Sequence, residues 1–212
     1  MGTMLGIHFS IPKIIQLFSR RTSILFLLTV FLLPLANGAE ITDIEIIRDG
    51  SRYLLVSTTH FDATPEQVFR VLIDYDQLAT ISKTIKESRY LEPRDDGQVL
   101  VYTRVRACVF LYCKTVEKIE RLDFTRPTYI QATAIPDRSD VRYSRSEWKL
   151  TADDAGGTQV IYRLEFEPGF WVPPLIGPMV IKRVLIDDGA SAVDRIEIRA
   201  QKLPVSGVAG DT

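Results

Sequence analysis

The chain has 212 residues, 46% of them hydrophobic, which suffices for one sizeable core and gives no sign of a second. It carries 26 Lys and Arg against 27 Asp and Glu, so the basic footprint of a nucleic-acid-binding protein is not visible. The two histidines, His8 and His60, and the two cysteines, Cys108 and Cys113, are too few for a typical zinc site or a histidine-based triad. We therefore expect no metal, cofactor or nucleic-acid partner.

Residues 1–38 have the pattern of an export signal peptide. Arg20 and Arg21 end a basic region, residues 24–35 are almost uninterruptedly apolar, and residues 36–38 are small, as a signal peptidase requires. The predicted mature protein is periplasmic or otherwise exported, by the general secretory or the twin-arginine route. The alternative is an inner-membrane anchor formed by an uncleaved N-terminal segment, for which the apolar run is short of the ~20 residues that usually span a bilayer.

The first strand and the first helix are predicted between residues 41 and 73. Residues 41–47 and 53–61 alternate apolar with polar side chains, so the first strand lies in this region. Thr64 is a favourable N-cap for a helix that begins at Pro65, and Gln67 stands at capping-box spacing. A second short helix is expected at about residues 77–82.

A series of period-two runs then predicts an antiparallel sheet with one buried face. Turn sequences rich in Gly, Pro and Asp separate the runs. The predicted strands span residues 86–92, 99–108, 112–122, 129–134, 144–151 and 159–167.

A long amphipathic helix is predicted over residues 173–201. Its apolar residues recur at steps of three or four, at Ile181, Leu185, Ala192, Ile196 and Ala200. The polar side carries Lys182, Arg183, Asp187, Asp194 and Arg195. Strands followed by one long terminal helix indicate an α+β domain over residues 40–201, in which a curved antiparallel sheet wraps around the helix. Residues 202–212 are expected to be a flexible tail.

Several short motifs carry a family resemblance: Ala63-Thr64-Pro65-Glu66-Gln67-Val68-Phe69, Asp74-Tyr75, Glu87-Ser88-Arg89, Ser146-Glu147-Trp148-Lys149-Leu150, Gly157-Thr158-Gln159-Val160-Ile161-Tyr162 and Glu167-Pro168-Gly169-Phe170. In this order they resemble the START-like polyketide cyclase and lipid-transport superfamily, nearest its coenzyme Q-binding group, over about residues 53–201. The resemblance implies a helix-grip fold with an elongated apolar cavity between sheet and helix. It also implies a lipid, quinone or polyketide as ligand, and cyclisation or dehydration in some members.

Alternation and helix spacing together predict which residues line such a cavity. Large side chains share one face of the last two strands, and small ones occupy the middle of the helix, where Gly189 costs roughly 1 kcal/mol of helix stability relative to Ala. The alternative is that the large side chains fill a solid core. The predicted lining residues are Tyr102, Arg104, Trp148, Tyr162, Leu164, Phe166, Phe170, Trp171, Ile181, Leu185, Gly189 and Ala192.

Four members of this set have more specific predictions. Arg104 is the best candidate for an inward-facing charge, paired with Tyr102. Phe170 and Trp171 precede two prolines, which suits a hydrophobic lip at the cavity mouth or a patch in transient contact with a membrane. The alternative is that these aromatics close the end of the core.

Cys108 and Cys113 are expected to form a disulfide. If residues 109–112 connect two antiparallel strands, the cysteines face each other within bonding distance, and an exported protein meets an oxidising compartment.

Three functions remain open at this point. The first is an exported, non-enzymatic carrier of a lipid, quinone or isoprenoid. The second is a cyclase or dehydratase, for which His60, Asp74, Glu147 and Tyr162 are the available acid or base candidates. The third is an interaction module with a closed pocket. The sequence does not indicate an oligomeric state.

Overall fold

The computed structural model describes residues 39–91, 97–109, 112–172 and 177–204. Several predicted segments lie outside the described residues. They are the export segment, residue 92 at the end of a predicted strand, residues 93–96 of the turn that follows it, the hairpin residues 110–111, the predicted start of the terminal helix and most of the predicted tail.

Eight antiparallel strands form one curved sheet with the order β1-β2-β8-β7-β6-β5-β4-β3. The strands are β1 (Glu40–Asp49), β2 (Arg52–Phe61), β3 (Ile85–Tyr90), β4 (Leu100–Val109), β5 (Tyr112–Thr125), β6 (Tyr129–Ala134), β7 (Val141–Ala152) and β8 (Thr158–Pro168). The helices are α1 (Pro65–Ile73), α2 (Leu78–Ile81) and α3 (Gly177–Gln201), with 3-10 turns at Tyr75–Gln77 and Pro136–Arg138.

This architecture confirms the predicted α+β helix-grip fold, with one correction. The region before the helices holds two strands that pair with each other, so the two short helices follow the second strand and not the first. Both runs alternate because each strand has one face toward the interior. A glycine with positive φ, Gly50, makes the turn between them.

The concave face of the sheet is identified by burial along β2. Tyr53, Leu55 and Phe61 are buried and alternate with half-buried residues. Cross-strand register carries this face into β8, where Leu55 stands opposite Leu164, and on into β7, where Leu164 stands opposite Ser146. In β4 and β5 the same face carries Val101, Thr103, Glu120 and Leu122, all of which are buried.

The predicted capping box begins α1. The hydroxyl of Thr64 accepts a hydrogen bond from the backbone N–H of Gln67, and the Gln67 side chain accepts one from the backbone N–H of Thr64. The Gln67 amide also donates to the carbonyl of Leu203 at 2.7 Å. Gln67, which completes the capping box of α1, therefore also holds in place the chain that follows α3.

Helix α3 lies across the open side of the sheet. Its main backbone neighbours are α1, α2, the edge strand β1 and strand β4, which lies next to the other edge. Near its C-terminal end Ile196 and Ala200 are buried in the core. The Arg195 guanidinium, predicted on the solvated side, instead donates to the carbonyl of Ile81 at 2.9 Å. No helix in the described parts of the chain has the length and apolar character needed to cross a membrane.

Asp188 fastens the middle of α3 to the loop between α2 and β3. Its carboxylate accepts hydrogen bonds from the hydroxyls of Ser82, at 2.6 Å, and Thr84, at 2.8 Å. It also accepts from the backbone N–H groups of Lys83, at 2.8 Å, and Thr84, at 3.2 Å. Farther along the helix, Arg199 forms an ion pair with Asp74 at 2.5 Å.

The predicted disulfide joins the β4–β5 hairpin. Cys108 and Cys113 are direct cross-strand partners with Cα atoms 4.0 Å apart, and their sulfur atoms are bonded. The bond closes a loop of only six residues, so the chain-entropy description gives it about 2 kcal/mol of stabilisation.

We expect Asp188→Ala to lower the free energy of unfolding by about 2 to 3 kcal/mol, because two backbone N–H groups and two hydroxyls lose a charged acceptor. Asp187→Ala is the matched control, since Asp187 is exposed and its side chain makes, among the described residues, only a 3.6 Å helical pair with Arg183. The control should change stability by less than about 0.5 kcal/mol. Urea unfolding of both variants measures the difference, and equal losses would contradict the assignment of Asp188 as the fastening residue.

Replacing both cysteines, as Cys108→Ser with Cys113→Ser, should lower the melting temperature by about 4 to 8 °C, the shift that about 2 kcal/mol produces in a domain of this size. Thermal unfolding measured by circular dichroism, with and without reductant, tests this. Reductant should shift the unsubstituted protein and leave the double variant unchanged. Two thiols that react with a label before reduction would show that the bond is absent.

Candidate functional site

The centre of the concave face combines large, half-buried side chains with small, buried ones. Trp148 stands opposite Tyr162, and their rings lie 4.9 Å apart between centroids. Leu164 and Phe166, on the same strand as Tyr162, stand opposite Ser146 and Ser144, which are almost fully buried. The predicted shared face of Trp148, Tyr162, Leu164 and Phe166 is thus observed. These four side chains lie on the concave face and remain half-buried.

The helix residues that face the sheet are also incompletely covered. Ile181, Leu185 and Ala192 are half-buried, in contrast to Ile196 farther along the same stripe. Gly189 belongs to this stripe, four residues after Leu185 and three before Ala192. A Cβ atom built on Gly189 would have no atom within 4 Å. The missing side chain therefore leaves open space and is not required by close backbone packing.

A group of polar side chains lies on the concave face of β3, β4 and β5, and we call Ser88, Thr103, Lys118 and Glu120 the polar cluster. The Lys118 ammonium donates to one oxygen of the Glu120 carboxylate at 2.8 Å, and the Thr103 hydroxyl donates to the other at 3.2 Å. The Glu120 side chain is 3% exposed and that of Lys118 is 17% exposed. Burial of this carboxylate is made tolerable by the ammonium that neutralises it.

Ser88 completes the polar cluster. It stands opposite Thr103, which in turn stands opposite Lys118. Its hydroxyl oxygen is buried and has no hydrogen-bond partner among the described residues. A buried polar group without a partner costs free energy, so this hydroxyl is available to a further group.

Two tyrosine hydroxyls lie within the electrostatic field of the polar cluster. Burial, followed by the charges of Glu120 and Asp188, raises the pKa of the Tyr162 hydroxyl far above its ordinary value. Burial and the charge of Glu120 likewise raise the pKa of Tyr75. Both groups are therefore neutral hydrogen-bond donors at physiological pH, and the field around them disfavours additional negative charge.

A pocket of about 480 Å³ opens between α3 and the β3–β4 side of the sheet. We call it the margin pocket, and its lining residues are Lys83, Thr84, Lys86, Arg106, Ala107, Cys108, Val184, Asp187 and Asp188. Ala107 shares the concave face with Thr103, so the margin pocket borders the interior. A second pocket, of about 570 Å³, includes Pro65, Pro127 and Leu150 and shares no residue with the polar cluster.

The two aromatic residues predicted as a lip differ in their surroundings. Phe170 is half-buried, and the Lys114 ammonium lies 4.6 Å from the centre of its ring. Trp171 is 74% exposed, and Met179 at the start of α3 is 72% exposed. A solvent-exposed Trp does not close the end of a core. Trp171 therefore does not fit the alternative interpretation as a core cap.

Tyr102 and Arg104 do not line the interior, and this prediction is corrected. Val101 and Thr103 face the core, so the intervening and following positions point to the convex face. Arg104 there forms an ion pair with Glu87 at 2.9 Å, and the Arg89 guanidinium lies 4.5 Å from the centre of the Tyr102 ring. The prediction chose the wrong one of two alternating sets of positions. The polar residue of β4 that faces the interior is Thr103, next to Arg104.

Of the four acid or base candidates, only Tyr162 lies on the concave face. Glu147 is on the convex face, where the Tyr129 hydroxyl donates to it at 2.7 Å. Asp74 is paired with Arg199. His60 contacts Asp153 at 2.5 Å beside the β7–β8 turn. The described residues contain no group of three or more His, Cys, Asp or Glu arranged to hold a metal ion.

The sequence interpretation missed the polar cluster, although β5 contained a signal for it. Strand β5 has charged residues at both parities, for example Glu117 and Arg121 on one face and Lys118 and Glu120 on the other. A strand on a one-sided sheet should carry apolar residues on its inner face. Two opposite charges spaced by two residues at that face are the pattern that identifies an internal ion pair.

Comparison with known proteins gave one family and many structures with the same fold. The family model described as "Polyketide cyclase / dehydrase and lipid transport" matches residues 54–197. No protein with a curated description matches significantly.

The structural matches share the fold at low sequence identity. The Zhui aromatase/cyclase from Streptomyces sp. R1128 is 19% identical with a TM-score of 0.57, over 74% of this chain and 98% of that one. A START superfamily protein from Mycobacterium smegmatis is 16% identical with a TM-score of 0.56, over 71% and 99% of the two chains. A STAR-related lipid transfer protein from Xanthomonas axonopodis is 15% identical with a TM-score of 0.54, over 76% and 99%.

Proposed function

The chain belongs to the polyketide cyclase / dehydrase and lipid transport family, and on that basis we propose that it is a non-enzymatic carrier of a hydrophobic ligand. The ligand is held between α3 and the concave face of the sheet. Within the family we place the protein nearest the coenzyme Q-binding group, with a quinone, an isoprenoid or another lipid as cargo.

The open space beside Gly189 is the observation that carries this proposal. A solid core would place side chains against the inward stripe of α3, whereas a methyl group at Gly189 would meet nothing within 4 Å. On the concave face of the sheet, Trp148, Tyr162, Leu164 and Phe166 are half-buried and offer accessible apolar surface. Burial of about 300 Å² of ligand surface against such side chains contributes about 7 kcal/mol before the costs of association.

In this proposal the carrier takes up its ligand from one membrane and releases it at another. Trp171 and Met179 are both strongly exposed apolar side chains at the two ends of the β8–α3 connection. The neighbouring Lys182 and Arg183 are exposed cations. Apolar side chains beside basic ones suit a transient contact with an anionic membrane surface during loading or release of the ligand.

The proposed place of action is outside the cytoplasm. The export pattern of residues 1–38 supports it, as does the disulfide between Cys108 and Cys113, since such bonds persist in oxidising compartments. In this proposal residues 40–201 form the carrier domain and residues 202–212 a flexible tail.

A cyclase or dehydratase activity is the second candidate. The neutral Tyr162 hydroxyl and the Lys118–Glu120 pair share the concave face, so a proton donor and a charged pair would be available to a bound substrate. Mass spectrometry of the bound molecule before and after incubation separates the two candidates, because a carrier returns its ligand unchanged.

We expect apolar molecules to co-purify with the protein, detected by organic extraction and mass spectrometry. Gly189→Leu should abolish their recovery while preserving the fold, because leucine favours the helix and its side chain occupies the open space. Ala190→Leu, at the exposed position next to it, is the matched control and should retain the ligand. Equal recovery from both variants would contradict binding beneath α3, and a closed interior would give no recovery from any of the proteins.

The export proposal predicts a periplasmic product that begins at residue 39. Cell fractionation followed by N-terminal sequencing tests it, and replacement of Arg20 and Arg21 by Lys distinguishes the twin-arginine route from the general one. An uncleaved product in the membrane fraction would support the alternative of an inner-membrane anchor. An uncleaved cytoplasmic product would contradict export by either route.

A further inference from the structure

The polar cluster contains more hydrogen-bond donors than the protein itself uses. Lys118 has three N–H groups, of which one reaches Glu120. The buried Ser88 oxygen has no hydrogen-bond partner within the described chain, and Tyr162 lies half-buried on the same concave face. Glu120, in contrast, already receives one donor on each carboxylate oxygen. The group that the polar cluster can still bind is therefore a hydrogen-bond acceptor.

The charges of the polar cluster restrict the kind of acceptor. Lys118 and Glu120 neutralise each other at 2.8 Å, so no net positive charge remains for an anion. The direction of the pKa shift at Tyr162, raised by burial and then by Glu120 and Asp188, indicates a field that opposes further negative charge. A carboxylate or phosphate placed here would be desolvated beside Glu120 without a cation of its own.

We infer that the polar cluster, together with the Tyr162 hydroxyl, binds a neutral carbonyl oxygen of the ligand. The cargo is then a ketone, quinone or ester and not a fatty acid or another anion. This inference rests on the proposed carrier function and gives it a chemical class. The aromatic pair Trp148 and Tyr162 provides the flat apolar surface beside that oxygen, which suits a carbonyl attached to a ring or to a long chain.

Three probes of equal chain length separate the contributions to binding: 2-undecanone, undecane and undecanoate. Binding is measured by isothermal titration calorimetry with the delipidated mature protein at about pH 8, where the fatty acid is ionised. The affinity for the ketone should be about tenfold above that for the alkane, because the ketone gains one hydrogen bond. The ketone should also bind more tightly than undecanoate. Tightest binding by undecanoate, or equal binding by ketone and alkane, would overturn the inference.

Variants locate the carbonyl site. Tyr162→Phe keeps the ring and removes the hydroxyl, so it should bring the ketone to within about twofold of the alkane without weakening the alkane. Tyr129→Phe, which removes a hydroxyl bonded to Glu147 on the convex face, is the matched control and should keep the full ketone advantage. An unchanged advantage in Tyr162→Phe would overturn the assignment of the carbonyl to this hydroxyl.

A double variant provides an independent test that does not leave a buried charge unpaired. Lys118→Met with Glu120→Gln replaces the ion pair by neutral groups of similar size, and circular dichroism checks that it is folded. It should reduce the advantage of the ketone over undecane, because the N–H donors of Lys118 are gone, while it retains undecane binding. If none of the three probes binds the unsubstituted protein, both the carrier function and this inference fail. If the unsubstituted protein binds undecane and 2-undecanone equally well, the inference fails and the carrier function stands.

Discussion

The attachment of α3 along its sides is the constraint on which the rest of the structure depends. Asp188 binds the loop before β3, Arg195 binds the end of α2, and Arg199 binds Asp74 after α1. These polar contacts hold the helix to its flanking segments, while Ile196 and Ala200 bury only its C-terminal part. Because the helix does not rely on apolar contact along its whole length, the region beside Gly189 stays open without a loss of attachment.

The interior is consequently unlike an ordinary core. A typical core excludes charge, yet here Lys118 and Glu120 lie on the same face as Trp148 and Leu164. The ion pair is tolerated since each charge has a partner and the carboxylate has a second donor. An ion pair without net charge can orient a bound ligand through hydrogen bonds, but it attracts other ions only weakly. Such an interior suits a mainly apolar molecule with one polar, uncharged group.

The predictions about the site succeeded or failed according to which face of its strand each residue was assigned to. The large residues of β7 and β8 were assigned to the correct face because β8 carries four of them at alternate positions, from Val160 to Phe166, and β7 carries Trp148 and Leu150 at the matching positions. Arg104 was assigned to the wrong face, although Val101, Val105 and Ala107 alternate in step with Thr103 and mark that set of positions as the inner one. Of the acid and base candidates, Glu147 and Asp74 are held by partners that lie 18 and 125 residues away in the sequence, which no local pattern identifies.

The sequence by itself determined the order of the elements from α1 onward, the capping box at Thr64, the amphipathic helix and the cysteine pair. Each of these depends on interactions between residues close in the chain or on a regular period. Only the tertiary structure decided that two strands precede the helices, that Asp188 carries the attachment of α3, and that Glu120 and Tyr162 share one interior. Those features depend on sheet curvature and cross-strand register, which bring together residues separated by tens of positions, and the local pattern of side chains does not encode these distances.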